Sequence, residues 1–188
     1  MKKVLLLCLL LLLTGCSVVR IDTSSVDNIV NVVLSKDNQL YNHIGKGYKY
    51  YIPRGVSYID TNDYNDVLYS NGIYYYLYID IISYYYDKVQ QYEVNENAYY
   101  SKSISIKDKE GYLEINKQDD DRYFIEFMYN YSKIEVIAEY DQINGIVLNA
   151  TYILSTIKFN FLVSEEKYDI FTSKKETNDF LKLEEEVE

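Results

Sequence analysis

The sequence predicts an α+β domain: an antiparallel β-sheet of about six to eight strands, with an N-terminal helix and a C-terminal helix packed on it. Three observations carry this expectation. Val26, Ile29, Val30, Val33 and Leu34 recur at the spacing of one helical face. Beyond Tyr48 the dominant period becomes two, in short alternating runs separated by turn residues such as Asn71-Gly72. After Asp141 the helical spacing returns, with Ile143, Ile146, Val147, Ala150 and Leu154 along one side.

Taken in order, Thr23-Ser24-Ser25 offers an N-cap to the first helix and Asp27 lies in its first turn. The helix ends near Ser35, where Lys36-Asp37-Asn38 breaks the pattern. Its apolar face lacks aromatics and its flanks lack basic residues, so packing on the domain's own sheet explains it better than lying on a membrane. Gly45-Lys46-Gly47 is a turn, residues 48–52 read as the first strand, and Pro53 closes it. Residues 56–60 read as a second strand, 61–65 as a polar bend and 66–70 as a third strand. Asn71-Gly72 suits the positive φ angles of a type I′ hairpin turn and leads into the longest strand, 73–83. In that strand Ile73, Tyr75, Leu77, Ile79 and Ile81 share one face, which the alternation turns to the core. Tyr74, Tyr76, Tyr78 and Asp80 share the other, a tyrosine stripe either covered by a helix or open to solvent.

Residues 84–93 prolong this strand or form a short helix. Strands follow over 98–106 and from Gly111, then a turn at Asp119-Asp120-Asp121. A hairpin spans 123–129 and 133–140 about a bend at 130–132. Asp141 is placed to cap a helix over 142–155, and 157–163 reads as a last strand or extended segment. The tail from Ser164 mixes charges with few apolar residues; Phe171, Phe180 and Leu181 are its candidates for docking. This order, with Tyr152-Ile153-Leu154-Ser155-Thr156-Ile157-Lys158-Phe159 after a hairpin, resembles the PsbP/Mog1/DcrB-like fold of some small bacterial lipoproteins. The resemblance implies a non-enzymatic accessory role and carries over no functional residue.

The N-terminus opens Met1-Lys2-Lys3, continues through an apolar run, and ends that run on Leu13-Thr14-Gly15-Cys16. A basic head and an apolar segment too short for a comfortable span are the marks of a secretory signal. Leu13-Thr14-Gly15-Cys16 resembles the lipobox of bacterial lipoproteins. The resemblance implies a diacylglyceryl group on the Cys16 thiol, cleavage just before it, and attachment to the outer face of the cytoplasmic membrane. The expected organisation is a signal peptide over 1–15, a tether over 16–22, the domain over 23–163 and an acidic tail over 164–188.

The formal net charge is −10, and removal of Lys2 and Lys3 with the signal makes the chain more acidic still. An acidic surface is repelled by nucleic acid and by anionic lipid, so no nucleic-acid partner is expected and attachment falls to covalent lipid. Cys8 leaves with the signal and Cys16 carries lipid, which leaves no thiol for a disulfide, a nucleophile or a zinc site. The 24 tyrosines fit AT-rich coding and strand propensity before any binding role is invoked.

Candidate chemistry is sparse. The single histidine, His43, lacks an accompanying nucleophile motif and reads as a surface or capping residue. Asp60, Asn62, Asp63, Asn65 and Asp66 crowd oxygen ligands into one stretch, and Asp60, Asn62, Asp63 and Asp66 make a candidate calcium loop. The stretch lacks the glycine and distal glutamate of an EF-hand, and an Asx-rich turn explains it as well. Tyr74, Tyr76 and Tyr78 are candidate binding residues: exposed, they form a flat aromatic surface suited to glycan or protein; covered, they are core. The expected role is a non-catalytic, membrane-anchored domain that binds an envelope protein or a cell-wall polymer. A glycan-binding module and a carboxylate-dependent hydrolase are the alternatives, and no cofactor is expected beyond the lipid on Cys16.

Overall fold

The computed structural model describes residues 22–62, 65–88 and 90–160. The lipobox with Cys16, the signal peptide, the tether up to residue 21, Asp63 and everything from residue 161 onward lie outside the described residues.

Helix α1 (Val26–Ser35) forms where the apolar spacing places it, and Ile29, Val30, Val33 and Leu34 are buried. Its N-cap is Ser25 by backbone conformation, but no side chain caps it; Asp22 instead accepts from the Ser24 amide at 3.0 Å. Strands β1 (His43–Ile44) and β2 (Tyr48–Tyr50) follow, joined by the predicted glycine turn. The β3–β4–β5 meander comprises Ser57–Asn62, Asn65–Ser70 and Ile73–Ile79. Asn71 and Gly72 turn β4 into β5 with φ of 51° and 85°, the left-handed values a type I′ turn demands.

The strand predicted over 73–83 stops at Ile79, and α2 (Ile81–Tyr85) takes over. Asp80 makes the switch: its side chain accepts from the Ser83 amide at 2.8 Å and starts a helical turn. The chain then crosses to the far edge of the sheet. There β6 (Tyr100–Ile106), β7 (Lys109–Lys117), β8 (Tyr123–Tyr129) and β9 (Ser132–Ala138) form a second meander. A 3₁₀ turn (Tyr140–Gln142) leads into α3 (Ile143–Thr156), and β10 (Lys158–Phe159) ends the described chain. The cap expected of Asp141 falls to its neighbours: the Glu139 amide donates to the Gln142 side chain at 2.9 Å, so Asp141 lies inside the turn rather than at its head.

The seven-stranded sheet runs β3-β4-β5-β9-β8-β7-β6, every neighbouring pair antiparallel. The α+β class and the helix on each side of the strand block are as the sequence predicts. The smaller sheet β1-β2-β10 was not anticipated: it pairs Phe159 with Tyr48 across the length of the domain. Helices α1 and α3 pack on each other and on one face of the large sheet, and β2 lies against α3. Their apolar sides meet Leu68, Tyr75, Leu77, Leu113, Ile115, Ile125, Phe127, Ile134 and Val136 in one buried cluster. Strand period and helix period therefore meet in a single core.

Candidate functional site

The helices cover one face of the seven-stranded sheet, and the site candidates divide between the two faces by strand alternation. Tyr75, Leu77 and Ile79 go under the helices; Tyr74, Tyr76 and Tyr78 go to the other side. Among the described residues no helix lies over that side. Tyr74 is 45% exposed, while Tyr76 and Tyr78 are half-buried by their neighbours on the same face. The rings of Tyr69 and Tyr74 tilt together at 5.1 Å, and those of Tyr74 and Tyr76 lie 6.5 Å apart at 24°. This face is thus an aromatic surface open at Tyr74 and partly covered at Tyr76 and Tyr78.

Register extends that surface across the sheet. Tyr76 pairs with Glu135, Glu135 with Glu126, and Glu126 with Glu114, which places three glutamates in one row over β9, β8 and β7. Like charges directly opposite one another are costly unless donors intervene. Donors do intervene here. Lys133 bridges Glu126 at 3.1 Å and Glu135 at 2.5 Å. The Tyr112 hydroxyl donates to Glu126 at 2.5 Å, and the Tyr92 hydroxyl donates to Glu114, as does Asn95 at 3.0 Å. Tyr92 stacks on Tyr112 at 4.1 Å and 3°, which lays the loop after α2 onto the β6–β7 side of the face.

The electrostatics follow from these bonds. Burial opposes ionisation of Glu114, but the donors Tyr92, Asn116 and Asn95 together hold its carboxyl below the usual range. Burial likewise works against the Lys133 ammonium, yet Glu135 and Glu126 push it above its ordinary value. Tyr78 and Tyr112 are pushed up, first by burial and then by Glu135 and Glu126 respectively. These bonds hold carboxyl oxygens and phenol hydroxyls in set positions, with Tyr112 and Glu135 themselves buried.

Asp60, Asn62 and Asp66 take up very different surroundings. They lie in the paired strands β3 and β4, where Asp60 and Asn62 are exposed on the edge strand. Asp66, by contrast, is 1% exposed and turned into the interior. There its Oδ2 accepts from the Tyr50 hydroxyl at 2.8 Å, with His43 Nε2 at 3.7 Å, while Oδ1 has no hydrogen-bond partner among the described residues. Among the described residues, no group of three or more His, Cys, Asp or Glu side chains is placed to hold a metal ion. The predicted polar bend is in fact paired strand up to Asn62 and again from Asn65.

His43 is more deeply placed than a surface or capping residue. Its ring stacks on Tyr58 at 4.6 Å and tilts against Tyr50 at 5.0 Å. It therefore clasps the small sheet to the β3–β4 hairpin over the buried Asp66 carboxylate. These two ring contacts make the imidazole part of the packing there.

Sequence reasoning missed Glu114, Glu126, Glu135, Lys133, Tyr92 and Tyr112 as a group. Alternation alone assigns Glu114, Glu126 and Glu135 to the outward sides of their strands; their alignment in one row required the register. Compared with known protein families, curated proteins and solved structures, the chain matches none.

Proposed function

We propose that this chain is a bacterial lipoprotein, held by lipid on Cys16 to the outer face of the cytoplasmic membrane, whose domain binds an envelope component without catalysis. Leu13-Thr14-Gly15-Cys16 after a basic head and an apolar run supports the anchor. The observation that carries the binding role is Tyr74, exposed on the face of the sheet away from α1 and α3, with the half-buried Tyr76 and Tyr78 beside it. Contact surfaces rich in tyrosine combine apolar area with hydrogen-bonding hydroxyls. The non-enzymatic role implied by the PsbP/Mog1/DcrB-like resemblance agrees with this reading.

A photo-crosslinking residue at position 74, in intact cells, tests the face against one at Lys36 beyond the end of α1. A discrete adduct from position 74 alone is expected; equal adducts from both positions, or none, contradict the proposal. A second reading, binding of a wall glycan, draws on the near-parallel rings of Tyr74 and Tyr76. Mass spectrometry of the adduct separates the two, since a wall fragment and a protein differ in mass and in susceptibility to protease. Cys16→Ser is expected to move the protein from the membrane fraction to the soluble fraction.

A further inference from the structure

A cleft of about 460 Å³ opens at the end of the helical layer, where the first residues of α1 and α3 approach the start of β6. Its walls include Asp27, Tyr99, Tyr100, Tyr140, Asp141 and Asn144. It shares none of its lining with the tyrosine–glutamate face. Its volume falls in the ordinary range for small-molecule sites.

Two features of the walls point to a ligand. The first is aromatic. Tyr99 is 51% exposed and Tyr140 63% exposed, both among the most exposed large side chains described. They meet at 6.2 Å with their planes at 84°, and each rests on the buried Tyr123 ring, at 5.0 Å and 5.9 Å. Tyr123 thus fixes two rings that face water. The second feature is the mixture of polar groups. Asp27 accepts from the Tyr100 hydroxyl at 3.2 Å and is ion-paired with Lys102. Asp141 and Asn144, three residues apart at the turn into α3, bring a carboxylate and an amide to the same cleft.

We propose that this cleft binds a neutral sugar ring of an envelope glycan. A pyranose has an apolar C–H face that suits a tyrosine ring and a rim of hydroxyls that both donate and accept. The cleft supplies both counterparts: exposed rings, carboxylate acceptors, and phenol and amide donors. An ammonium ligand fits less well. Lys102 already neutralises Asp27, and the cleft takes in Val26 and Ile143, the first residues of two helices whose positive dipole ends oppose a cation.

The test is calorimetric titration of the purified full chain, in a detergent without a sugar headgroup, with chitotetraose, cellotetraose and maltotetraose, and separately with tetramethylammonium chloride. Heat with at least one oligosaccharide is expected. Tyr140→Ala and Tyr99→Ala should each weaken that affinity about tenfold, a difference of about 1.4 kcal/mol. Heat that is lost in Tyr74→Ala/Tyr76→Ala and kept in Tyr99→Ala/Tyr140→Ala would assign the sugar to the open face and overturn the proposal. Both cleft rings are exposed, so the variants are expected to keep the parent's circular dichroism, which is recorded alongside. Three results overturn the proposal: no heat with any of the oligosaccharides, heat that survives in Tyr99→Ala/Tyr140→Ala, or a response to tetramethylammonium alone. Because the open face is scored by its own double variant and by crosslinking at position 74, failure of the cleft and failure of the face are read separately.

Discussion

Asp66 brings a carboxyl group into the interior of the domain, where the Tyr50 hydroxyl donates to it at 2.8 Å. A buried acceptor that loses its donor keeps the whole desolvation penalty, about 1–3 kcal/mol and more when it is charged. Tyr50→Phe removes that hydroxyl and leaves the ring. It should therefore lower unfolding stability by at least about 1–3 kcal/mol in urea titration. Loss of only a few tenths would show that Asp66 finds another donor. The sequence offered Asp66 as one oxygen in a polar cluster. Its burial could not be read there, because one register step in the β3–β4 pair decides whether position 66 faces core or solvent. His43 was opaque for a related reason. Its partners Tyr58 and Asp66 come from two later strands, and nothing local announces them.

At the scale of elements, hairpin turns separate what was legible from what was not. Asn71-Gly72 announces its turn because glycine tolerates positive φ. Two further turns use the same left-handed pair of conformations without glycine: Lys107 and Asp108 at φ 55° and 60°, Asn130 and Tyr131 at 52° and 61°. Tertiary pairing of β6 with β7 and of β8 with β9 imposes them, so residue preference at those positions is a poor guide. A matched pair of substitutions isolates the backbone effect, since a Cβ at Gly72 or at Gly145 meets nothing within 4 Å. Gly72→Ala forces a side chain into φ near 85° and should cost about 1–2 kcal/mol. Gly145→Ala, on the exposed side of α3, should add about 0.5–1 kcal/mol. Denaturant midpoints moving in opposite directions is the expected result; a shift of the same sign in both would refute the argument. The strand-to-helix switch at Asp80 was not legible: the alternation reads as strand to residue 83, and only the Asp80 side chain, accepting from the Ser83 amide, ends it at Ile79.

For the molecule as a whole, tyrosine chemistry governs behaviour in alkali. Burial, with Glu110 beside it, pushes Tyr129 up to about 12. Tyr48, Tyr50, Tyr78, Tyr100 and Tyr112 move in the same direction, each first through burial and then through a neighbouring carboxylate: Asp66 for the first two, then Glu135, Asp27 and Glu126. A phenol whose folded pKa exceeds its unfolded value of about 10 stabilises the fold fully below pH 10. That contribution falls as pH rises from about 10 towards the folded values. Stability should therefore drop steeply above pH 10. In a spectrophotometric titration the exposed phenols should ionise first and reversibly, and the buried set only together with unfolding. A single smooth titration of all tyrosines with intact circular dichroism would contradict this. Composition made the abundance of tyrosine plain, and alternation sorted Tyr74, Tyr76 and Tyr78 from Tyr75. The carboxylate beside each buried ring depended on cross-strand register and on contacts between distant segments.

The large sheet is assembled from two meanders, β3–β5 and β6–β9, joined along a single seam where Leu77 lies opposite Ile134. Within each meander, neighbours along the chain are neighbours in space; across the seam, strands far apart in sequence must find one another. Closing so long a loop is rewarded late, so each meander gathers itself before the seam zips. The seam then acts on lifetime more than on speed of assembly. Truncating Leu77 or Ile134 to alanine should chiefly accelerate unfolding in stopped-flow experiments, with φ-values below about 0.3. The same change at Phe127, inside the second meander, should slow refolding. The native state would in that case come undone as two halves parting along β5 and β9.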